Sequence, residues 1–174
     1  MGALPFSDVI FAIRSWPFKI FWYAPFMHLA RYLDVEKLRW DQTLEASEEV
    51  LTKGSSMLFF PEAHRTRNGE LGRFFSGAFK VSVHTGTKIV PLCIIGTDDM
   101  FPPGRWWFKP AFVHLKALTP VDPSLFPGES GHMEMRKHIK QLMAEEIRQM
   151  KSQNRELAIL PYFQDKGKRR SNSI

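Results

Sequence analysis

Short apolar runs alternate with helix-like segments along most of this chain, and this alternation constrains its fold more than any other feature. Strands are predicted at Asp8 to Ile13, Ser56 to Phe60 and, most strongly, Lys88 to Ile95. Asp41 to Thr52 and Gly77 to Thr85 have the patterns of helices. Strands that alternate with helices indicate an α/β fold with a mixed, largely parallel sheet flanked by helices.

The remaining segments are assigned by the same patterns. Leu44, Val50 and Leu51 form an apolar stripe that is expected to pack inward on the Asp41–Thr52 helix. Residues 1–160 are predicted to form one domain, and residues 161–174 a basic flexible tail. The other predicted elements are an apolar helix over Phe18 to Tyr32, strands over Leu33 to Leu38 and Ala111 to Leu118, a loop over Thr97 to Lys109 and an amphipathic helix over Met133 to Met150.

Composition limits the class of protein and of partner. The chain has 174 residues, about one domain, and 44% of them are apolar, which is enough for a core. A net charge of +6 favours an anionic partner, which could be nucleic acid, acidic lipid or a phosphorylated substrate. Cys93 is the single cysteine, so no internal disulfide can form, and its apolar neighbours predict a buried thiol.

A polar loop that follows a predicted strand carries most of the chemical information. The strand Ser56 to Phe60 ends in Pro61, and the carboxylate of Glu62 and the guanidinium groups of Arg65 and Arg67 come next. In open α/β sheets, ligands bind outside the carboxyl ends of the strands, and arginine can hold two phosphate oxygens at once. The loop therefore indicates an anion site, with a surface loop carrying solvated arginines as the alternative.

Three ordered blocks around this loop carry a family resemblance, which extends from about Ala3 to Pro123. They resemble blocks of the 1-acylglycerol-3-phosphate acyltransferase family. That family has F-P-E-G-T-R-S, F-K-x-G-A-F and V-V-P-V-x-I-x-G-T at the equivalent places. The blocks in this chain are Phe60-Pro61-Glu62-Ala63-His64-Arg65-Thr66, Phe74-Phe75-Ser76-Gly77-Ala78-Phe79 and Ile89-Val90-Pro91-Leu92-Cys93-Ile94-Ile95-Gly96-Thr97.

The resemblance implies a function and a set of site residues. A chain of this family would transfer an acyl group from acyl-CoA or acyl-carrier protein to lysophosphatidate, with no cofactor and no metal. Arg65, Arg67 and Arg73 would hold the acceptor phosphate, Glu62 would organise the loop, and Gly77 would begin the helix beside it. Three departures concern substrate choice: Ala63 and His64 replace the family's glycine and threonine, and no lysine precedes the Gly-Ala pair.

The histidine that the family uses as its base is not found in this sequence. An H-x-x-x-x-D block supplies that base, which takes the proton of the acceptor hydroxyl while the aspartate orients the ring. No histidine of this chain has an aspartate five positions later, and the family's block comes just before the segment equivalent to Met1–Pro5. The expectation is an N-terminally incomplete acyltransferase domain that is inactive alone. The alternative is a non-catalytic module that binds lipid phosphate.

Other sequence features bear on location and partners. Trp106-Trp107-Phe108 contacts a bilayer interface, lines the acyl groove or fills a core. No run is long and apolar enough to cross a membrane. A peripheral position on the cytoplasmic face of a membrane is therefore expected. The scattered histidines have no metal-ligand spacing, and no nucleic-acid-binding motif is present.

Overall fold

The computed structural model describes residues 9–13, 33–34, 39–62, 71–100, 107 and 109–159. The chain divides into two compact units. The first unit comprises residues 1–89 and 121–137, and the second comprises residues 90–120 and 138–174.

A three-stranded parallel sheet organises the first unit. Its strands are β1 (Val9–Ile13), β2 (Leu33–Asp34) and β3 (Ser56–Phe59), in the order β2-β1-β3. Ile10 and Ala12 are buried, whereas Val9 and Phe11 are half-buried, which is the period-two alternation expected of a strand. Because all three strands run in parallel, their carboxyl ends lie at one edge of the sheet, and β3 runs from that edge into Pro61 and Glu62.

The first unit also contains two helices, of which the first packs against β3 and against the second. Helix α1 spans Trp40–Thr52 and helix α2 spans Gly77–Thr85. Helix α2 buries Phe79 and Val81, and Gly86 ends it in the left-handed conformation at φ 68°. A 3-10 helix at Pro123–Leu125 follows Val121, whose backbone forms an isolated antiparallel bridge with Ile89.

Two expectations about burial in the first unit need correction. The fully buried residues of α1 are Thr43 and Ser47, while Leu44, Val50 and Leu51 are only half-buried. Each of the two hydroxyls donates to a carbonyl one turn earlier in the helix, Thr43 to Arg39 and Ser47 to Thr43, so polar side chains can lie inside. Strand β3 lies where it was predicted, but its apolar side chains are half-buried rather than buried.

The second unit is built on an antiparallel pair of strands. They are β4 (Leu92–Ile95) and β5 (His114–Ala117), with Leu92 opposite Ala117. Cys93 and Ile95 are buried on one face of the pair, and Leu92, Ile94 and Leu115 are exposed on the other. The remaining elements are the short helix α3 (Thr97–Met100) and the helix α4 (Gly131–Ile159), whose residues up to Lys137 belong to the first unit.

Cys93 is the most enclosed side chain of β4. It is 0% exposed, and its Sγ lies 3.9 Å from the carbonyl oxygen of Met143 on α4. Burial, and secondarily the negative charge of Glu146, raise the pKa of the Cys93 thiol above its ordinary value. The prediction of a buried cysteine is confirmed, and the thiol is free.

The α/β prediction is confirmed, with differences at the ends of elements. The long strand expected over Lys88 to Ile95 is interrupted: Ile89 forms only a bridge, and Pro91, which has no N–H, precedes β4. Helix α4 extends beyond Met133–Met150 at both ends, and the loop expected over Thr97 to Lys109 begins with α3. The helix expected over Phe18 to Tyr32, residues 35–38 and the tail lie outside the described residues, and the domain boundary at residue 160 stays a prediction.

Candidate functional site

A clasp between the two ends of the arginine-bearing loop fixes its base at the carboxyl edge of the parallel sheet. The carbonyl oxygen of Pro61 accepts a hydrogen bond from the N–H of Phe75 at 2.9 Å, and Glu62 and Phe74 form an antiparallel bridge. The carboxylate of Glu62 accepts from the N–H of Gly72 at 2.6 Å. Glu62 therefore joins the strand before the loop to the segment after it.

Gly72 fits this clasp because it has no side chain. A Cβ at this position would lie 2.8 Å from Oε1 of Glu62, closer than such contacts occur in proteins. The carboxylate would have to move, and the hydrogen bond to the Gly72 N–H would weaken. The sequence gives no signal for this requirement, because Gly72 lies between two of the blocks that resemble the family rather than within one.

Two adjacent phenylalanines of the clasp have opposite roles. Phe74 is 3% exposed, and its ring stacks on that of Phe79 with centroids 6.4 Å apart. Phe75 is 50% exposed, and the guanidinium carbon of Arg73 lies 5.8 Å from the centroid of its ring. Phe74 thus anchors the returning segment in the core of the first unit, while Arg73 and Phe75 stay at the surface beside the clasp.

The returning segment leads directly into the N-terminus of α2. Ser76 precedes the helix, and its hydroxyl makes no bond to the first-turn amides of α2. That hydroxyl accepts a hydrogen bond at 2.8 Å from Nη1 of Arg136, which lies on α4 sixty positions away. The first turn of α2 contains no acidic residue. No carboxylate of the helix itself therefore offsets the positive potential at its N-terminus.

The predicted site residues are only partly covered by the described structure. Glu62 and Arg73 lie within the clasp, and Gly77 is the first residue of α2. Arg65 and Arg67 lie outside the described residues, so their roles stay predictions. The sequence reasoning missed Gly72 and the contact between Ser76 and Arg136.

Two further sequence expectations concern membranes and metals. Trp107 is 65% exposed, so the interpretation of it as a core residue is wrong. Trp106 and Phe108 are not among the described residues. Within the described ranges, no helix has the length and hydropathy needed to span a bilayer. The same residues contain no cluster of three or more metal-ligating side chains.

Comparison with known proteins places the chain in a family. The acyltransferase family model matches residues 3–95, which is more than half of the chain. The crystal structure of the 1-acyl-sn-glycerophosphate acyltransferase PlsC from Thermotoga maritima is similar to it, with a TM-score of 0.65 and 27% sequence identity. The similarity covers 83% of this chain and 57% of that one.

Individual relatives match over shorter segments. A chloroplastic 1-acyl-sn-glycerol-3-phosphate acyltransferase of Arabidopsis thaliana is 44% identical over 61 residues, which are 35% of this chain and 17% of that protein. The Salmonella typhimurium enzyme of the same name is 30% identical over 95 residues, 55% of this chain and 38% of the enzyme. The matched segments thus span well under half of these relatives.

The family match includes the strand before the clasp, the clasp itself and helix α2, which are the elements that form the candidate site. The architecture agrees as well, since a parallel sheet with flanking helices matches the fold of the Thermotoga maritima enzyme. This chain therefore belongs to the acyltransferase family.

Proposed function

We propose that this chain forms the acceptor-binding core of a phospholipid-biosynthesis enzyme that acylates lysophosphatidate. In the complete reaction, the free hydroxyl oxygen of the acceptor forms an ester bond with the acyl carbon of a thioester. The carbon–sulfur bond breaks, and the thiol of coenzyme A or acyl-carrier protein leaves with the proton that a base removed from the hydroxyl. The role proposed for this chain is to hold the acceptor by its phosphate.

One observation carries the proposal: the arginine-bearing loop is tied at its base to the carboxyl edge of a parallel sheet. The Glu62–Gly72 hydrogen bond and the Pro61–Phe75 hydrogen bond close the loop on both sides. This edge is where open α/β sheets bind ligands.

The charges next to the clasp suit a phosphate monoester. Arg73 lies within the clasp, between Gly72 and Phe74, and helix α2, whose N-terminus carries positive potential, begins four residues later. We assign Arg65 and Arg67 to the same phosphate, because the loop that contains them starts and ends at this clasp. Guanidinium groups hold phosphate oxygens through paired, charge-assisted hydrogen bonds.

Binding of a water-soluble, short-chain lysophosphatidate tests this assignment. Arg65→Met is expected to weaken binding about 10- to 150-fold, because a hydrogen bond to a charged group contributes roughly 1.5–3 kcal/mol. Titration calorimetry on the wild-type chain and the variant measures the two affinities. Glu62→Ala should have a smaller effect, since that carboxylate orders the loop rather than contacting the phosphate.

Arg148→Met is the matched control for the loss of one arginine. Arg148 is exposed on α4 and pairs with Glu145, and it belongs to the second unit. Its replacement should leave the affinity unchanged. Lysophosphatidylcholine, whose phosphate is a diester, should bind more weakly than lysophosphatidate. Equal affinities of Arg65→Met and the wild-type chain would contradict the phosphate assignment.

We further propose that the chain works at a membrane surface, on its cytoplasmic face. The exposed indole of Trp107 and the net charge of +6 support contact with anionic lipid headgroups. Trp107→Ala is expected to reduce the fraction that co-sediments with phosphatidylglycerol vesicles, whereas Trp40→Ala, in the first unit, should not. Equal co-sedimentation of Trp107→Ala and the wild-type chain would exclude Trp107 as a membrane anchor.

A non-catalytic lipid-phosphate-binding module is the second candidate function. It is favoured by the absence of the H-x-x-x-x-D spacing from this sequence. Both candidates bind lysophosphatidate through the same arginines, so the binding experiment supports either one. The coding sequence directly upstream of Met1 separates them: an in-frame H-x-x-x-x-D block there supports the enzyme, and a stop codon supports the binding module.

A further inference from the structure

We propose that Arg136 is a positioning residue of the acceptor-phosphate site and that it acts through Ser76. This inference rests on the proposed function. Arg136 lies on α4, far in sequence from the arginine-bearing loop and beyond the segment matched by the family model. It nevertheless reaches the residue that connects the clasp to α2.

The contact between Arg136 and Ser76 is well defined. Nη1 of Arg136 donates to the Ser76 hydroxyl at 2.8 Å, and the pair is partly buried. Next to Arg136, Met135 is 0% exposed, and its sulfur lies 3.8 Å from the hydroxyl of Ser82 on α2. The start of α4 therefore contacts α2 at a second point, close to the backbone from which Arg136 extends.

The contact changes what Ser76 does at the start of α2. A serine in this position ordinarily accepts a hydrogen bond from an amide of the first helical turn. Here its hydroxyl oxygen is engaged by Arg136, and no side-chain cap forms. The N–H of Lys80 bonds to the Ser76 carbonyl, while the earlier amides of the turn receive no side-chain cap, so we assign them to an incoming anion.

The position of Arg136 is also unfavourable without an anion. A guanidinium group lies beside the positive end of a helix, and within the described residues no carboxylate is within salt-bridge distance of Arg136. The hydrogen bond to Ser76 holds the guanidinium group there despite this repulsion, and a phosphate bound nearby would offset the repulsion. Arg136 thus links acceptor binding to the orientation of α2.

A double-mutant cycle tests whether Arg136 acts through Ser76. Arg136→Met and Ser76→Ala are each expected to weaken binding of short-chain lysophosphatidate about 3- to 10-fold. The double variant should be no weaker than the weaker single variant, because both changes break one contact. Arg136→Lys should recover part of the affinity, since lysine retains the charge and one donor.

Three results would overturn the inference. Unchanged affinity in Arg136→Met would remove any role, and additive losses in the double variant would mean that Arg136 and Ser76 act separately. A loss in Arg136→Met without a loss in Ser76→Ala would make Arg136 a direct ligand instead of a positioning residue. Arg148→Met, on the same helix, controls for charge, and thermal unfolding of every variant separates lost affinity from lost folding.

The same experiment distinguishes failure of this inference from failure of the proposed function. If the wild-type chain does not bind lysophosphatidate, the proposed function fails and the positioning role fails with it. If the wild-type chain binds and Arg65→Met does not, while Arg136→Met binds as well as the wild type, only the positioning role is excluded.

Discussion

Replacing Gly96 with alanine is expected to remove more than about 3 kcal/mol of stability from the second unit. Gly96 follows β4 with a φ of 87°, a conformation that alanine adopts at a cost. Its Cβ would also lie 2.0 Å from the carbonyl oxygen of Phe112, a backbone atom that precedes β5. The clash cannot be relieved by rotating a side chain, so β4 and β5 must separate there.

Gly54→Ala separates the cost of the backbone conformation from the cost of the clash. Gly54 has a similar φ of 80°, and an added Cβ would meet nothing within 4 Å. This variant should lose only about 1–2 kcal/mol. Denaturant unfolding of both variants measures the difference, and equal losses would show that the strands near Gly96 adjust to a side chain.

Cys93 provides a local readout of the Gly96 prediction. It is the single thiol of the chain, it is 0% exposed on β4, and it should react with iodoacetamide only when the strand opens. A loss of about 3 kcal/mol corresponds to roughly 100-fold faster labelling of Gly96→Ala under native conditions. In the Gly54→Ala variant, whose change lies in the first unit, the Cys93 thiol should react much more slowly than in Gly96→Ala.

The elements that the sequence predicted well are those whose signals are local. Helix α2 begins at Gly77 and ends before Gly86 as expected, because a glycine in the left-handed conformation ends a helix wherever it occurs. The strand before the loop was also located correctly, since its apolar run is bounded by Pro61. Local steric preferences determine these boundaries, and one sequence contains them.

The features that the sequence did not reveal depend on partners distant along the chain or on hydrogen bonds that hydropathy ignores. Thr43 and Ser47 are buried on α1 because their hydroxyls bond to helix carbonyls, and a count of apolar residues assigns such side chains to the surface. From sequence alone, Ser76 has the position of an ordinary helix cap. The structure shows that its hydroxyl instead bonds to Arg136, sixty positions later. The family resemblance identified the loop, but only the structure revealed how Glu62 and Gly72 close it.

The purified 174-residue chain is expected to form no phosphatidate from lysophosphatidate and acyl-CoA or acyl-carrier protein, even where it binds lysophosphatidate. We expect no transfer because no histidine of this sequence has an aspartate five positions later. A general base contributes roughly 10²- to 10⁴-fold to rate, so any residual transfer should fall below that of a full-length relative by at least this factor. Transfer of a radiolabelled acyl group, followed by lipid extraction, measures it.

Binding and transfer must be measured on the same preparation, because a misfolded chain would also be inactive. Affinity for lysophosphatidate that depends on Arg65, together with no transfer, is the expected pair of results. Transfer at the rate of a full-length relative would contradict the prediction and would require a base within these residues. His28→Ala and His64→Ala would then locate it: His28 lies six positions before Asp34, and His64 lies next to Arg65. Loss of transfer in only one of them would identify the histidine that takes the proton.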